Sequence, residues 1–371
     1  MMNNTNVMIT VPRESASEYP VVIGSGILSH VLDDIQQQNG DRRICVLTDE
    51  NCRKAGHLDT LVGTSETPHF VIDPPGEVSK NMNTVLSIIT DMEKRKLGRD
   101  SLLIALGGGT VGDIGGFAAA VFKRGIPCVQ IPTTTVSQAD SAVGGKVGVD
   151  SGLSKNAYGA FKNPLRVYID TAVLKTLDDR HYRAGLVESV KHGMIADSGY
   201  FEFFENELDR ILDKDPDVLT HLAEKNCAIK GDVVARDPLE KNLRSILNFG
   251  HTIGHAVESA SGYRMYHGEA VAVGILGACR ISEKKGFHGP DIRRRAAEIF
   301  TRMNLNQTIP ESLDVSALVD IMKRDKKSVN AQPRFVLLED LGQPLVSEGR
   351  YVHAVETELV DDVLSGLIKD V

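Results

Sequence analysis

His251 and His255 stand four residues apart in Asn248-Phe-Gly-His-Thr-Ile-Gly-His255, and His267 and Glu269 follow in Tyr-His-Gly-Glu. On a helix that spacing stacks both imidazoles on one face. Ile253, Ala256, Val257 and Ala260 give the same helix an apolar side to bury. Neutral imidazoles converging from one face can share a divalent metal, with His267 one loop further on as a third ligand. A helix with two polar residues near its start explains the spacing more simply. Arg244 and Asn248 tip the balance, because they precede the pair on successive turns. Polar groups then converge where a core helix would carry leucine.

Other residues offer different chemistry. Ser101-Leu-Leu-Ile-Ala-Leu106 reads as a buried strand running into Gly107-Gly-Gly-Thr-Val-Gly-Asp113. Gly107, Gly109 and Gly112 fit G-x-G-x-x-G between a strand and a helix, where backbone amides can approach a pyrophosphate. The acidic residue usual downstream is missing, but Asp49 at the end of an earlier strand offers a carboxylate for a ribose hydroxyl. Together these favour dinucleotide binding. The segment Asp140-Ser-Ala-Val-Gly-Gly-Lys146 and the pair Lys155-Asn156 are rich in cations and amides. They suit a phosphate or carboxylate, or else form a solvated loop. Glu188 and Lys191 share a helix face among Leu186, Val187 and Val190, so this ion pair is at least partly buried if not simply exposed. Lys230 and Glu240 flank an acidic turn, and Lys326-Lys327 reads as surface charge.

The elements that must position these groups follow from periodicity. Strands are expected at 43–48, 69–73, 101–106 and 127–131, with a helix from about Ser79 to Lys94. Apolar runs alternating with amphipathic stretches predict a parallel sheet flanked by helices. From about Asp178 the period becomes helical throughout, which gives two domains, 1–177 and 178–371. Pro290 to Asn304 reads as a charged, solvated helix. The chain has 371 residues, 42% of them hydrophobic and 25% charged, an ordinary composition for a soluble protein with a sizeable core. A net charge of −8 argues against a nucleic-acid surface. Five scattered cysteines without a Cys-x-x-Cys pair suggest reduced thiols. With no signal peptide or membrane span evident, a cytoplasmic protein is expected.

Taken in order, Gly107–Asp113, Asp140–Phe161, Ala184–Lys191, Arg244–Glu269 and Asp325-Lys-Lys327 resemble the 3-dehydroquinate synthase family of sugar-phosphate cyclases. The resemblance implies an α/β Rossmann-like NAD-binding domain, an all-α metal- and substrate-binding domain, and an active site between them. It places a divalent metal, zinc or cobalt, on Glu188, His251 and His267. Substrate-binding and acid/base positions fall on Asp140, Lys146, Lys155, Asn156, Lys191, Lys230, Glu240, Arg244, Asn248, His255 and Lys327. NAD contacts fall near Asp49, Asn51, Glu77, Lys80, Gly108, Gly109, Asp113, Thr133 and Thr134. The implied reaction converts 3-deoxy-D-arabino-heptulosonate 7-phosphate to 3-dehydroquinate and phosphate, with NAD regenerated in each turnover. A homodimer is implied too, in which Arg124 reaches the neighbouring subunit's substrate. Asp150-Ser-Gly-Leu-Ser154, Lys162-Asn163 and His192 depart from the common family pattern. Gly144-Gly-Lys146, which cyclases acting on sedoheptulose 7-phosphate typically lose, favours an acidic substrate. An amino-sugar analogue, a metal- and NAD-dependent polyol dehydrogenase and a non-catalytic relative stand as alternatives.

Overall fold

The computed structural model describes residues 18–152, 154–262, 264–324 and 332–369. Six parallel strands form one sheet: β1 (Val21–Gly24), β2 (Arg43–Asp49), β3 (His69–Ile72), β4 (Ser101–Gly107), β5 (Cys128–Pro132) and β8 (Arg166–Asp170). Their order is β1-β8-β5-β4-β2-β3. Strand β4 is buried at every position and β2 at all but its first, as expected of apolar runs covered on both faces. One face packs Val85, Ile88 and Met92 of the helix Met82–Lys94 together with Val111 and Ile114 of the helix Gly109–Val121. The other packs Leu28, Val31 and Ile35 of the helix Leu28–Asn39 together with Leu58 and Leu61.

The chain leaves β2 for β3 on one side, then returns to place β4 on the other. Such a reversal opens a crevice at the carboxyl ends of the two strands. An antiparallel hairpin, β6 (Lys146–Val149) and β7 (Tyr158–Phe161), lies outside the sheet. Val147 and Val149 bury against the helix Gly109–Val121, so the hairpin holds Lys146 at one end and Lys155 and Asn156 in its connecting loop.

Beyond Asp179 the chain is mainly helical, and a second core gathers the long helices Asp179–Ala196, Pro216–Arg236 and His267–Lys284. It is not all-α: Arg334–Phe335 pairs with His353–Ala354, and Leu338–Asp340 with Gln343–Pro344. The helix expected at Ser79 starts at Met82 after a 3-10 turn, and β5 is shifted by one residue. The segment read as a solvated helix is amphipathic, since Asp291–Arg302 buries Ile292, Ala296, Ile299 and Phe300.

The helices His251–Ala260 and His267–Lys284 cross closely enough that a Cβ on Gly274 would overlap the carbonyl oxygen of Gly250. Gly274→Ala should therefore destabilise the fold by about 1–3 kcal/mol, read as a lowered melting temperature, because neither backbone can yield. Gly231, inside the helix Pro216–Arg236, has open space around its Cβ position. Gly231→Ala should stabilise by about 0.5–1 kcal/mol through helix propensity. Equal shifts of the same sign would contradict this packing.

Candidate active site

Three elements bring the metal-ligand candidates together. Glu188 lies on the helix Asp179–Ala196, His251 opens the next helix after the left-handed Gly250, and His267 opens the one after that. Glu188 Oε1 faces His251 Nε2 at 3.7 Å and His267 Nε2 at 3.5 Å. This oxygen is buried and has no hydrogen-bond partner, while Oε2 pairs with Lys191. An unpartnered buried carboxylate oxygen is costly unless a cation completes its surroundings. The far nitrogens are fixed: His251 Nδ1 lies 3.0 Å from the Phe249 carbonyl, and His267 Nδ1 lies 3.2 Å from Glu258 Oε2. Each Nδ1–H donates outward, which leaves Nε2 bare for a metal. The residues present fit a divalent cation.

The electrostatics agree for His251. At His267, Glu188 and Glu258 outweigh burial and raise the ring to about 9, so without a metal it itself supplies positive charge beside Glu188 and must give up its Nε2 proton to a cation. Burial opposes ionisation of Glu188, but Lys191, His251 and His267 hold it well below the usual carboxylate range. Burial, reinforced by Lys191, keeps His251 neutral. Glu258 is pulled down to about 2, its burial outweighed by His267 and Lys155. Nitrogen atoms of His251, His255 and His267 also lie within 4.8 Å of one another, so His255 borders the same centre. Glu269, noted beside His267 in the sequence, is structural. It accepts from the Tyr266 amide at 2.8 Å and pairs with Arg180 at 2.6 Å.

The cations expected around the substrate mostly converge. Lys230 reaches Asp140 Oδ1 at 2.7 Å, Lys146 pairs with Glu240, and Asn248 donates to Glu240 at 3.0 Å. Lys155 bridges Glu258 at 2.9 Å and Glu77 at 3.1 Å. Arg244 does not share a helix with the histidines but lies on the 3-10 turn Leu243–Asn248. It is 2% exposed, and its guanidinium donates to the carbonyls of Gly144 and Pro238, both at 2.9 Å. No carboxylate pairs with it among the described residues. Gly144, at φ 97°, admits this approach, because a Cβ there would sit 2.6 Å from Arg244 Nη2.

A cavity of about 700 Å³ opens at the reversal point of the sheet. Of the expected cofactor contacts it is lined by Asp49, Asn51, Gly108, Gly109, Thr133 and Thr134. Gly108 caps the helix Gly109–Val121, so free amides and the positive dipole end face the space. Asp49 spends Oδ1 on capping Cys52, at 2.9 Å. Glu77, Lys80 and Asp113 stand apart from the lining. Lys80 pairs with Asp113 at 2.7 Å, and Glu77 accepts from the Thr110 hydroxyl, at the cavity edge, at 3.3 Å.

Arg124 is exposed at the far end of that helix, about 20 Å from its N-terminus by helix rise, and so outside its own chain's cavity. Lys327 lies outside the described residues. Sequence reasoning missed Glu258, although its place seven residues after His251 puts it on the histidine face. It also missed Gly76, Thr110 and His181 of the cavity wall. Burial pushes the thiols of Cys52, Cys128 and Cys227 up to about 12, so they are inert.

The same arrangement of segments occurs in known proteins. Residues 70–184 match the N-terminal part of 3-dehydroquinate synthase as a family, and residues 185–328 the C-terminal part. A 3-dehydroquinate synthase of Thermoanaerobacter pseudethanolicus is 48% identical over 279 residues, 75% of this chain and 78% of its own length. One from Methylococcus capsulatus is 39% identical over 328 residues, 88% and 91% of the two lengths. Among solved structures, a 2-deoxy-scyllo-inosose synthase in complex with carbaglucose-6-phosphate, NAD+ and Co2+ superposes with a TM-score of 0.84. It is 25% identical, and the match covers 94% of this chain and 96% of that one. With consecutive matches across residues 70–328 and relatives at these identities, the chain belongs to the 3-dehydroquinate synthase family.

Proposed function

We propose that the protein converts 3-deoxy-D-arabino-heptulosonate 7-phosphate to 3-dehydroquinate and phosphate, using NAD and one divalent metal, zinc or cobalt. The observation that carries this reading is Arg244, a buried guanidinium held by carbonyls alone. No carboxylate among the described residues pairs directly with this buried cation, and Glu240 and Asp140 nearby only partly offset the burial that lowers its pKa, so an anionic ligand would complete its surroundings. A dehydrogenase of neutral polyols has no need of it. In this reading residues 1–177 hold the cofactor and lend Lys146 and Lys155 to the substrate, while residues 178–371 hold the metal and the rest of the substrate site. No helix among the described residues is long and apolar enough to cross a membrane.

Glu188, His251 and His267 would hold the metal, which when bound supplies Lewis acidity toward substrate oxygens. Asp49, Gly108, Gly109, Thr133 and Thr134 would hold NAD, which supplies a reversible hydride acceptor. Arg244, Lys146 and Lys155 bind and orient the substrate's carboxylate and phosphate. Lys230 and Lys191 sit close to Asp140 and Glu188, so each ammonium can stabilise negative charge gathering on nearby substrate oxygens. His255 is exposed at the border of the metal centre, where its imidazole can take or return a proton. Elimination breaks the carbon–oxygen bond to phosphate as a proton leaves the adjacent carbon, and closure of the ring forms a carbon–carbon bond as a carbonyl oxygen gains a proton; residues of this shell can take and return those protons.

The direct assay supplies the keto-sugar acid phosphate with catalytic NAD and follows phosphate and NADH together. Many phosphates per NAD with no accumulated NADH is the expected result. One NADH per substrate would instead identify a net dehydrogenase.

Glu258→Gln should keep the fold but weaken metal affinity about 10- to 100-fold, as loss of the carboxylate behind a ligating histidine does. Competition with a chelator measures it, and unchanged affinity would remove Glu258 from the metal's support.

Arg124, exposed and remote from its own cavity, fits a role in the site of a second subunit of a homodimer. Inactive Arg124→Ala and Lys146→Ala proteins, mixed and allowed to exchange subunits, should regain part of the activity, because one site in each mixed dimer carries neither defect. No recovery despite verified exchange would exclude the role.

A further inference from the structure

One buried polar cluster has no part in the account so far. His192 follows Lys191 on the helix Asp179–Ala196 and is wholly buried, as are Ser189, Tyr200 and Asn226 around it. The Asn226 side chain lies 2.9 Å from His192 Nδ1, 3.1 Å from the Tyr200 hydroxyl and 2.9 Å from Ser189 Oγ. Tyr200 also interacts with Ser189. On the opposite edge of the imidazole, Nε2 has no hydrogen-bond partner and faces Asp140 Oδ1 at 3.8 Å. Asp140 is the carboxylate that holds Lys230.

The position of one proton decides what this cluster does. With Asn226 Oδ1 toward His192, the imidazole carries its proton on Nδ1 and turns a bare Nε2 lone pair toward a carboxylate. Two buried acceptors then confront each other, and one has no donor at all. Turning the Asn226 amide end for end removes the conflict at no cost in shape. Its two N–H groups then serve His192 Nδ1 and the Tyr200 oxygen. Tyr200 donates to Ser189 Oγ, and Ser189 donates to Asn226 Oδ1. Every donor and acceptor of the cluster is used, and His192 Nε2–H points at Asp140.

We propose that His192 is a positioning residue for the substrate pocket, carrying its proton on Nε2 and thereby holding the Asp140 carboxylate in place for Lys230 and the substrate. At 3.8 Å the contact in the free enzyme is an electrostatic one between N–H dipole and carboxylate, too long for a hydrogen bond. Such contacts commonly tighten when substrate arrives. The catalytic half of the proposal rests on Asp140 facing substrate, whereas the proton's location does not.

Neutron diffraction from a deuterated crystal of the wild-type protein reads the proton directly. A deuteron on Nε2, with the Asn226 amide deuterons toward Nδ1 and Tyr200, is expected. A deuteron on Nδ1 above a bare Nε2 overturns the proposal. Two variants test the positioning role, since glutamine places an amide near the Nε2 site and asparagine near the Nδ1 site. His192→Gln should keep kcat/KM within a few-fold of wild type, while His192→Asn should lose about tenfold or more, the worth of a contact to a charged group. NAD affinity and metal content should match wild type in both. Equal losses in the two variants would reduce His192 to a packing role and refute the proposal. Should neither variant fold, or should the wild-type enzyme refuse the keto-sugar acid phosphate, the deuteron position alone decides.

Discussion

A buried carboxylate must be paired, and the way Glu188 meets that demand organises the rest of the site. Its side chain and that of Lys191 are each about 1% exposed, on one face of a helix in the core. Lys191 satisfies one oxygen and leaves the other facing two imidazoles with no hydrogen of its own. Removing either partner of such a pair strands a charge in a dry interior, which costs several kcal/mol, about 3–5 in measured cases. The pair is therefore poor value as a structural device and makes sense as half of a cation site. The outward bonds of His251 and His267, to a carbonyl and to Glu258, hold the two rings in the complementary tautomer.

Close approach between backbones places these groups. Small residues where the helices His251–Ala260 and His267–Lys284 cross let two histidines from different helices meet over a third helix. In the sheet, the reversal of strand order between β2 and β4 opens the cofactor cavity at a helix N-terminus. Lys155 spans from Glu77, whose neighbour Thr110 edges that cavity, to Glu258, which supports His267. The cofactor wall and the metal support are thus tied through one ammonium group.

Much of this was legible in the chain. The long apolar strands, the glycine turn and the histidine pair all carry strong local signals, because a continuous buried run or an i, i+4 spacing has one natural reading. Short strands did not: Val21–Gly24 is too brief, and the hairpin Lys146–Val149/Tyr158–Phe161 contains glycines that mask its alternation. Glu258 was passed over because a glutamate near a helix end reads as solvated surface, and only the fold sets Lys155 and His267 against it. The burial of Lys191 was partly legible, from Leu186, Val187 and Val190 around it, whereas that of His192 was not, since nothing in its own position distinguishes a polar ring facing the core from one facing water. The order of motifs carried the family, while the depth of each side chain needed the structure.

The most direct test of the central claim is anomalous diffraction from crystals loaded with cobalt or zinc. A single ion per chain is expected, bonded to Glu188 Oε1, His251 Nε2 and His267 Nε2, with Glu188 Oε2 still on Lys191. An ion held by His251, His255 and His267 with Glu188 Oε1 left unbound, or an ion elsewhere, would contradict it.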